Sequence, residues 1–127
     1  LKCPALRSIS IRNCKLTNAA LSSIAQATKD QLSSLDLHGT TGFNDIGLKA
    51  LCVYCSGLAT LKLGGCAVTD DGILGLAKFC NKLRHLELSE SDLITEASLS
   101  LFPSDCTVHW FYNSNAHPRR ASTLSGK

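Results

Sequence analysis

The chain has 127 residues, of which 44% are hydrophobic and 18% are charged. Its length fits a single domain, since domains usually hold roughly 100–150 residues, and its apolar content excludes a mostly disordered chain. The sequence contains no run of about 18 apolar residues that could span a membrane, and no secretory signal peptide opens it. These features predict a soluble domain with no membrane partner.

The net charge of +3 comes from the C-terminal end of the chain. Arg119, Arg120 and Lys127 lie after residue 112, so residues 1–112 carry as many basic as acidic side chains. A neutral body argues against nucleic acid as a partner, because binding phosphates requires a basic face. The seven cysteines are an odd number in a chain without a secretion signal, which favours a reducing compartment, the cytoplasm or the nucleus.

The first half of a repeated unit occurs four times along the chain. Each copy has the pattern L-x-x-L-x-L, with Leu or Ile at all three apolar positions, and the copies begin at Leu6, Leu32, Leu58 and Leu83. The last two apolar residues of each copy are two positions apart, which predicts a short strand that buries both and exposes the residue between them. The period of 25 or 26 residues is typical of repeat architectures.

The second half of each unit predicts a helix. Residues that can cap a helix start follow each strand, in the pairs Thr17-Asn18, Asn44-Asp45, Thr69-Asp70 and Thr95-Glu96. Apolar residues then recur at helical spacing: Leu21, Ile24 and Ala25, then Leu48, Leu51 and Cys52, then Ile73, Leu76 and Ala77, then Leu99 and Phe102. Each unit is therefore predicted to be a strand, a turn and a helix of about three turns, with a shortened helix ending at Pro103 in the fourth unit.

Stacking these units predicts one parallel sheet with the helices on its other side. Helices are roughly 10 Å wide and strands lie about 4.8 Å apart, so the helix row needs more room and the stack bends. The predicted fold is an α/β solenoid, a right-handed horseshoe segment with the sheet on the concave face and the helices on the convex face. We expect it to span residues 1–112.

The third unit carries the clearest signature of a known family. Residues 58–83 read Leu-Ala-Thr-Leu-Lys-Leu-Gly-Gly-Cys-Ala-Val-Thr-Asp-Asp-Gly-Ile-Leu-Gly-Leu-Ala-Lys-Phe-Cys-Asn-Lys-Leu. This pattern resembles a leucine-rich repeat protein and is similar to the cysteine-containing subclass of that family. Two cysteine positions recur, at Cys14 and Cys66 after the strand, and at Cys3, Cys55 and Cys80 before it. The resemblance covers residues 3–112.

The cysteine-containing subclass is best known from F-box/leucine-rich-repeat proteins, the substrate receptors of SCF-type cullin-RING ubiquitin ligases. The resemblance implies the substrate-recognition part of such a subunit, in the ubiquitin conjugation pathway, with Skp and cullin partners reached through an upstream F-box. The chain opens on Leu1 and has no Met, so we expect it to be a piece of a longer protein. The alternative is a leucine-rich scaffold or regulatory adaptor without an F-box, in a ciliary, mitochondrial or signalling complex.

Several residues are candidates for chemistry. Cys52-Val-Tyr-Cys55 resembles a redox dithiol or half of a zinc site, but Cys55 occupies a repeat position and Cys52 continues an apolar helix face, so both are predicted to pack in the core. His38 and His85 are predicted to lie two strands apart, which strains a shared zinc ion. Gly64-Gly65 lacks the lysine of a phosphate-binding loop. We therefore expect no enzyme activity, no metal and no cofactor.

The residues exposed on the concave sheet are the candidates for binding a protein partner. The positions between and just after the buried strand residues are Ser10, Asp36, Lys62 and Glu87, then Arg12, His38, Gly64 and Ser89. One interpretation is that Asp36, Lys62 and Glu87 neutralise one another as a ladder of cross-strand ion pairs. The other is a docking patch formed by Arg12, Asp36, His38, Lys62, Arg84, His85 and Glu87.

The end of the chain is predicted to close the last unit. Residues 106–112, Cys-Thr-Val-His-Trp-Phe-Tyr, are rich in β-formers, and alternation points Cys106, Val108 and Trp110 to one side. Such a strand would cover the open end of the solenoid; alternatively Trp110, Phe111 or Tyr112 contacts a partner. Residues 113–127 are predicted to be a disordered tail, in which Arg119-Arg120-Ala-Ser122 resembles a kinase target with Ser122 as the phosphosite.

Overall fold

The computed structural model describes residues 6–89, 91–110 and 122–124. Each of the four units contributes one short strand and one helix. The strands are β1 Ser8–Ser10, β2 Ser34–Asp36, β3 Thr60–Lys62 and β4 His85–Glu87, followed by β5 Thr107–Trp110 and β6 Ser122–Leu124. The helices are α1 Asn18–Thr28, α2 Asp45–Tyr54, α3 Asp70–Phe79 and α4 Glu96–Leu99, with a 3₁₀ turn at Lys29–Gln31.

The strands form one sheet in chain order, and β1 to β5 are parallel. Equivalent residues of successive units face one another: Ile9 pairs with Leu35, Leu35 with Leu61, Leu61 with Leu86, and Leu86 with Val108. The predicted parallel α/β arrangement is confirmed. The register follows the period of the sequence because a one-residue slip between neighbours would turn every leucine to solvent.

The core consists of the inward strand residues and the apolar faces of the helices. Both inward strand positions are 0% exposed in units two to four, at Leu35, Leu37, Leu61, Leu63, Leu86 and Leu88. The equivalent Ile9 and Ile11 of unit one are partly buried, since β1 has a neighbour on one side within the described part of the chain. Each helix packs against the next, from α1 to α4. The leucine pattern therefore forms one continuous core between two layers.

The first three helices begin at the predicted capping residues. The side chains of Thr17, Asn44 and Thr69 each accept a hydrogen bond of 2.9 to 3.3 Å from a backbone N–H two or three residues further on. These bonds satisfy donors that have no partner inside the helix. Thr95 occupies the same position before α4, but its side chain does not cap that helix.

A second set of hydrogen bonds, not predicted from the sequence, joins each helix start to the next unit. We call this set the cap ladder. In it, the side chain of the first helical residue accepts a hydrogen bond from the N–H of the next capping residue: Asn18 from Asn44 (3.0 Å), Asp45 from Thr69 (2.9 Å) and Asp70 from Thr95 (2.9 Å). The hydroxyls of Thr69 and Thr95 donate to the same two carboxylates. One polar side chain per unit therefore fixes the spacing between neighbouring helices.

Strand β5 lies over the apolar end of unit four. Cys106, Val108 and Trp110 are at most 3% exposed, and His109 between them faces solvent. Phe111 and Tyr112 of the predicted strand lie outside the described residues, as does most of the predicted tail.

Residues 122–124 form β6, which pairs antiparallel with β5 and places Ser122 opposite Trp110. These three residues form a strand within the segment 113–127 that the sequence predicts to be a disordered tail, since the edge of a sheet is a place where a further strand can add.

Candidate functional site

The outward side chains of the sheet form three rows that cross the strands, and we call this surface the sheet face. Backbone hydrogen bonds continue the parallel ladder beyond the strand ends, for example from Gly39 N–H to Gly64 C=O (2.7 Å). Row one contains Ser8, Ser34, Thr60, His85 and Thr107; row two contains Ser10, Asp36, Lys62, Glu87 and His109; row three contains Arg12, His38, Gly64 and Ser89. Six of the seven residues of the predicted docking patch belong to these rows.

Asp36 is held by its own unit and by unit one. Its Oδ1 atom accepts a hydrogen bond from the N–H of His38 (3.0 Å), and its Oδ2 atom lies 3.7 Å from Nε of Arg12. The Arg12 side chain is 52% exposed, whereas the Asp36 side chain is 18% exposed. Both carboxylate oxygens of Asp36 therefore have partners that lie away from Lys62.

Glu87 turns away from Lys62 in a similar manner. Its Oε2 atom accepts a hydrogen bond from the N–H of Ser89 (3.2 Å). Its Oε1 atom is buried without a hydrogen bond and lies 3.6 Å from Nδ1 of His38. His38 reaches this carboxylate across β3 because Gly64 has no side chain: a Cβ atom there would lie 2.5 Å from Nδ1 of His38.

Lys62 lies between Asp36 and Glu87 in row two without an ion pair to either. Among the described residues, no carboxylate lies within 4.0 Å of its amine. The predicted ladder of cross-strand ion pairs therefore does not form. A carboxylate gains more from a charge-assisted hydrogen bond to a backbone N–H than from an exposed lysine, whose ion pairs are worth at most about 1 kcal/mol. Lys62 is left exposed near the centre of the sheet face.

A concavity of about 350 Å³ lies on the sheet face over β3, β4 and β5. Its lining consists of row-one and row-two side chains and two strand leucines: Thr60, Leu61, Lys62, His85, Leu86, Glu87 and His109. Lys62, His85 and Glu87 were identified from the sequence as candidates, whereas Thr60 and His109 were not. Both could have been predicted as sheet-face residues, because each occupies an outward position in the repeat register.

Two predicted contact residues lie elsewhere. The guanidinium of Arg84 lies 3.6 Å from the Asp105 carboxylate and donates to the carbonyl of Asn81, so it sits before β4 and does not line the concavity. Trp110 is 3% exposed, which leaves almost none of its ring for a partner. The interpretation of Trp110 as a partner contact is therefore corrected, since the ring covers the core end of unit four.

A larger groove, of about 640 Å³, opens between α2 and α3 and was not identified from the sequence. Ile46, Val53 and Phe79 line it and are 70%, 65% and 59% exposed. Gly72 and Gly75 of α3 widen it because they carry no side chains. This groove could have been predicted from the sequence, because α2 and α3 carry large apolar residues on the side opposite their core faces.

The cysteines of the Cys52-x-x-Cys55 motif lie in the core, at 8% and 0% exposure. The Cys55 thiol donates to the carbonyl of Ala25 (3.8 Å), and burial raises its pKa. A hydrogen bond with Cys80 lowers the pKa of Cys52, and the same bond, together with burial, raises the pKa of Cys80.

Burial also raises the pKa of Cys66, to about 12, and its thiol donates to the carbonyl of Leu37 in the preceding unit (3.0 Å). Within the described ranges, no three His, Cys, Asp or Glu side chains are arranged to hold a metal ion.

The fold and the sheet face define a βα repeat protein, with apolar positions repeated in the core and polar ones displayed on the sheet. Residues 54–77 match a family model described as Leucine Rich repeat. This segment runs from the end of α2 through β3 into α3. The chain therefore contains a leucine-rich repeat, and the other three units share its strand register. Over residues 6–89 and 91–110, no helix combines the length and the hydropathy needed to cross a membrane.

Proposed function

We propose that this chain is a protein-binding leucine-rich repeat module that holds its partner on the sheet face and performs no chemistry. The observation that carries this proposal is the division between inward and outward positions in units two to four. Leucines at fixed positions are fully buried, while neighbouring outward positions hold side chains of different charge and size, such as Asp36, Lys62 and Glu87. The displayed residues can therefore specify a partner without disturbing the core.

The proposed overall shape follows from the sizes of the two layers. Strands lie about 4.8 Å apart, whereas helices with their side chains are roughly 10 Å wide, so the stack closes toward the sheet. We propose a right-handed horseshoe segment with the sheet face on its concave side. A concave surface suits a partner because it can contact side chains from several units at once.

The finer proposal is the substrate-recognition part of an F-box/leucine-rich-repeat subunit of an SCF-type ubiquitin ligase, in the cytoplasm or nucleus. The support is the recurrence of cysteine at two repeat positions. Cys66 bonds to the preceding unit through the Leu37 carbonyl, and Cys55 and Cys80 are at most 4% exposed. These three cysteines therefore occupy packing positions, whereas Cys14, at the repeat position of Cys66, is exposed.

Site-specific photocrosslinking tests the protein-binding function. A photoreactive amino acid is placed at Ser10 or His85 on the sheet face and, as matched controls, at exposed Ser23 of α1 or Lys78 of α3. We expect a protein to be crosslinked from both sheet positions and from neither helix position. The crosslinked protein is then purified, and its affinity for the wild-type chain is compared with that for His85→Asp. Crosslinks from the helix positions alone would contradict the proposal.

Copurification from cells separates the ligase proposal from the scaffold or adaptor alternative. For the full-length protein in cells, we expect Skp and cullin subunits to copurify together with the sheet-face partner. Copurification of the partner without Skp and cullin would reject the ligase role and leave the scaffold or adaptor function.

A further inference from the structure

We propose that the sheet face receives an acidic segment of its partner, and that a carboxylate of this segment binds Lys62 in the concavity over β3, β4 and β5. The inference rests on the proposed function in that the segment belongs to a bound protein. It specifies the chemistry of that protein where it meets the sheet.

The two carboxylates beside Lys62 in row two, those of Asp36 and Glu87, are already partnered, and their side chains are only 18% and 26% exposed. Both oxygens of Asp36 face Arg12 and the N–H of His38. Oε2 of Glu87 accepts the N–H of Ser89, and Oε1 is buried toward His38. A cationic segment would therefore meet carboxylates whose negative charge is partly offset by backbone N–H groups and, at Asp36, by Arg12.

Lys62 offers the concavity a cationic donor group that has no ion pair among the described residues. The ammonium of Lys62 carries three N–H donors, is exposed and has no ion pair among the described residues. Exposed His85 and half-buried Thr60 occupy the adjoining row, paired in register on β4 and β3. A carboxylate supplies the missing acceptor, and the resulting charge-assisted bond is stronger than one between neutral groups.

Lys62 occupies a central position on the sheet face. It lies on the central strand of the first five and lines the concavity together with side chains of β4 and β5. A segment seated there contacts unit three, unit four and strand β5, so a single carboxylate on Lys62 would set its register across the strands. The contact would increase the binding specificity and the association rate more than the affinity.

The test uses the purified full chain and two fluorescent peptides of equal length, one with glutamates and one with lysines spaced by Gly and Ser. Anisotropy gives the affinities at low salt, and backbone amide shifts locate the site. We expect the Glu peptide to bind, to shift the amide signals of Thr60, Lys62 and His85, and to weaken as salt is raised. The Lys peptide is expected not to bind.

Matched variants make the result specific. Lys62→Glu is expected to weaken Glu-peptide binding about tenfold and Lys62→Arg to retain it. Lys49→Glu is the control, because it makes the same charge change at an exposed lysine of α2. Equal losses for Lys62→Glu and Lys49→Glu, or amide shifts away from β3 and β4, would overturn the proposal. Binding of a phosphoserine peptide in place of the Glu peptide would overturn the carboxylate assignment.

Two results separate the acidic-segment proposal from the proposed protein-binding function. A protein crosslinked from Ser10 and His85 whose affinity is insensitive to Lys62→Glu would reject the acidic segment and keep the docking function. Specific binding of the Glu peptide without any crosslinked protein would keep the anion-binding lysine and reject the docking function.

Discussion

Nδ1 of His38 in unit two lies 3.6 Å from Oε1 of Glu87 in unit four, although strand β3 runs between them. The two side chains meet over Gly64, the one residue of row three without a side chain. The contact joins units that are not adjacent in the sheet. It also explains why Glu87 is turned away from Lys62, which is its neighbour in row two.

Gly64→Ala is expected to lower the free energy of unfolding by about 1–2 kcal/mol, because the added methyl group overlaps the side chains of His38 and Ser89. Urea denaturation followed by circular dichroism measures the change. Gly75→Ala in α3 is the control: its Cβ makes an ordinary 3.4 Å contact with Cys52, and replacing a helical glycine stabilises by up to about 1 kcal/mol. Shifts of the same sign in both variants would contradict the assigned role of Gly64.

Asp70→Ala is expected to destabilise the chain by about 1–2 kcal/mol, since the carboxylate joins α3 to unit four through Thr95 and Ser98. Asp71→Ala is the matched control, because Asp71 is exposed and its side chain is outside the cap ladder. Thermal denaturation at neutral pH is the measurement. If the two variants melt alike, the cap ladder does not stabilise the stack.

The stabilising effect of Asp70 is expected to disappear in acid. Partial burial raises the pKa of Asp70, but the hydrogen bonds from Thr95 and Ser98 outweigh it and lower the pKa below its ordinary value. A carboxyl group with a lowered folded-state pKa stabilises fully above the ordinary Asp value near 4 and loses this effect as pH falls through the folded-state pKa. The difference between wild type and Asp70→Ala should therefore shrink below about pH 4. A difference that is constant with pH would contradict the hydrogen-bonded carboxylate.

Thiol labelling should separate the exposed from the buried cysteines. At pH 8, we expect iodoacetamide to modify exposed Cys14 well before Cys66, whose pKa of about 12 keeps the thiol protonated and whose side chain is buried. Peptide mass spectrometry over time measures both rates. In urea the two rates should converge, and equal rates in the native protein would show that Cys66 is accessible.

The two charged residues flanking the concavity should differ in their effect on stability. Lys62→Gln is expected to leave the melting temperature nearly unchanged, because the Lys62 amine has no ion pair in the described part of the chain. Glu87→Lys should cost about 1–2 kcal/mol, since it removes the acceptor of the Ser89 N–H and places a cation beside His38. Reversing the charges of both Lys62 and Glu87 is therefore expected to lower the stability. A Glu87→Lys protein that melts like wild type would show that these contacts are absent in solution.

Ending the chain after Ser104 should lower the melting temperature sharply and reduce the cooperativity of unfolding. The deletion removes the buried side chains of Cys106, Val108 and Trp110 and exposes the apolar end of unit four. Deletion of residues 125–127 alone is the control, because it retains β5 and β6. Similar melting curves for the two deletions would show that β5 does not close the core.

The parts of the structure that recur in every unit could be read from the sequence. Leucines with a period of 25 or 26 residues predict the strands, their parallel register and the core, since matched apolar positions are the arrangement that buries them all. Thr17, Asn44 and Thr69 predict the helix starts, because capping depends on residues that are close in the chain. Strand β6 was missed because its pairing depends on the open edge of β5, a partner distant in sequence.

By itself, the sequence determined which residues share a row and which face they occupy. Only the tertiary structure decided how the charged residues of those rows are partnered. Asp36 and Glu87 each have Lys62 and a backbone N–H within reach, and the choice depends on side-chain rotamers and on space such as that above Gly64. The repeat period does not indicate whether a carboxylate pairs with Lys62 or with a backbone N–H. The two arrangements differ in free energy by a small hydrogen-bond contribution and not by the burial of a hydrophobic side chain. That choice leaves Lys62 without an ion pair among the described residues.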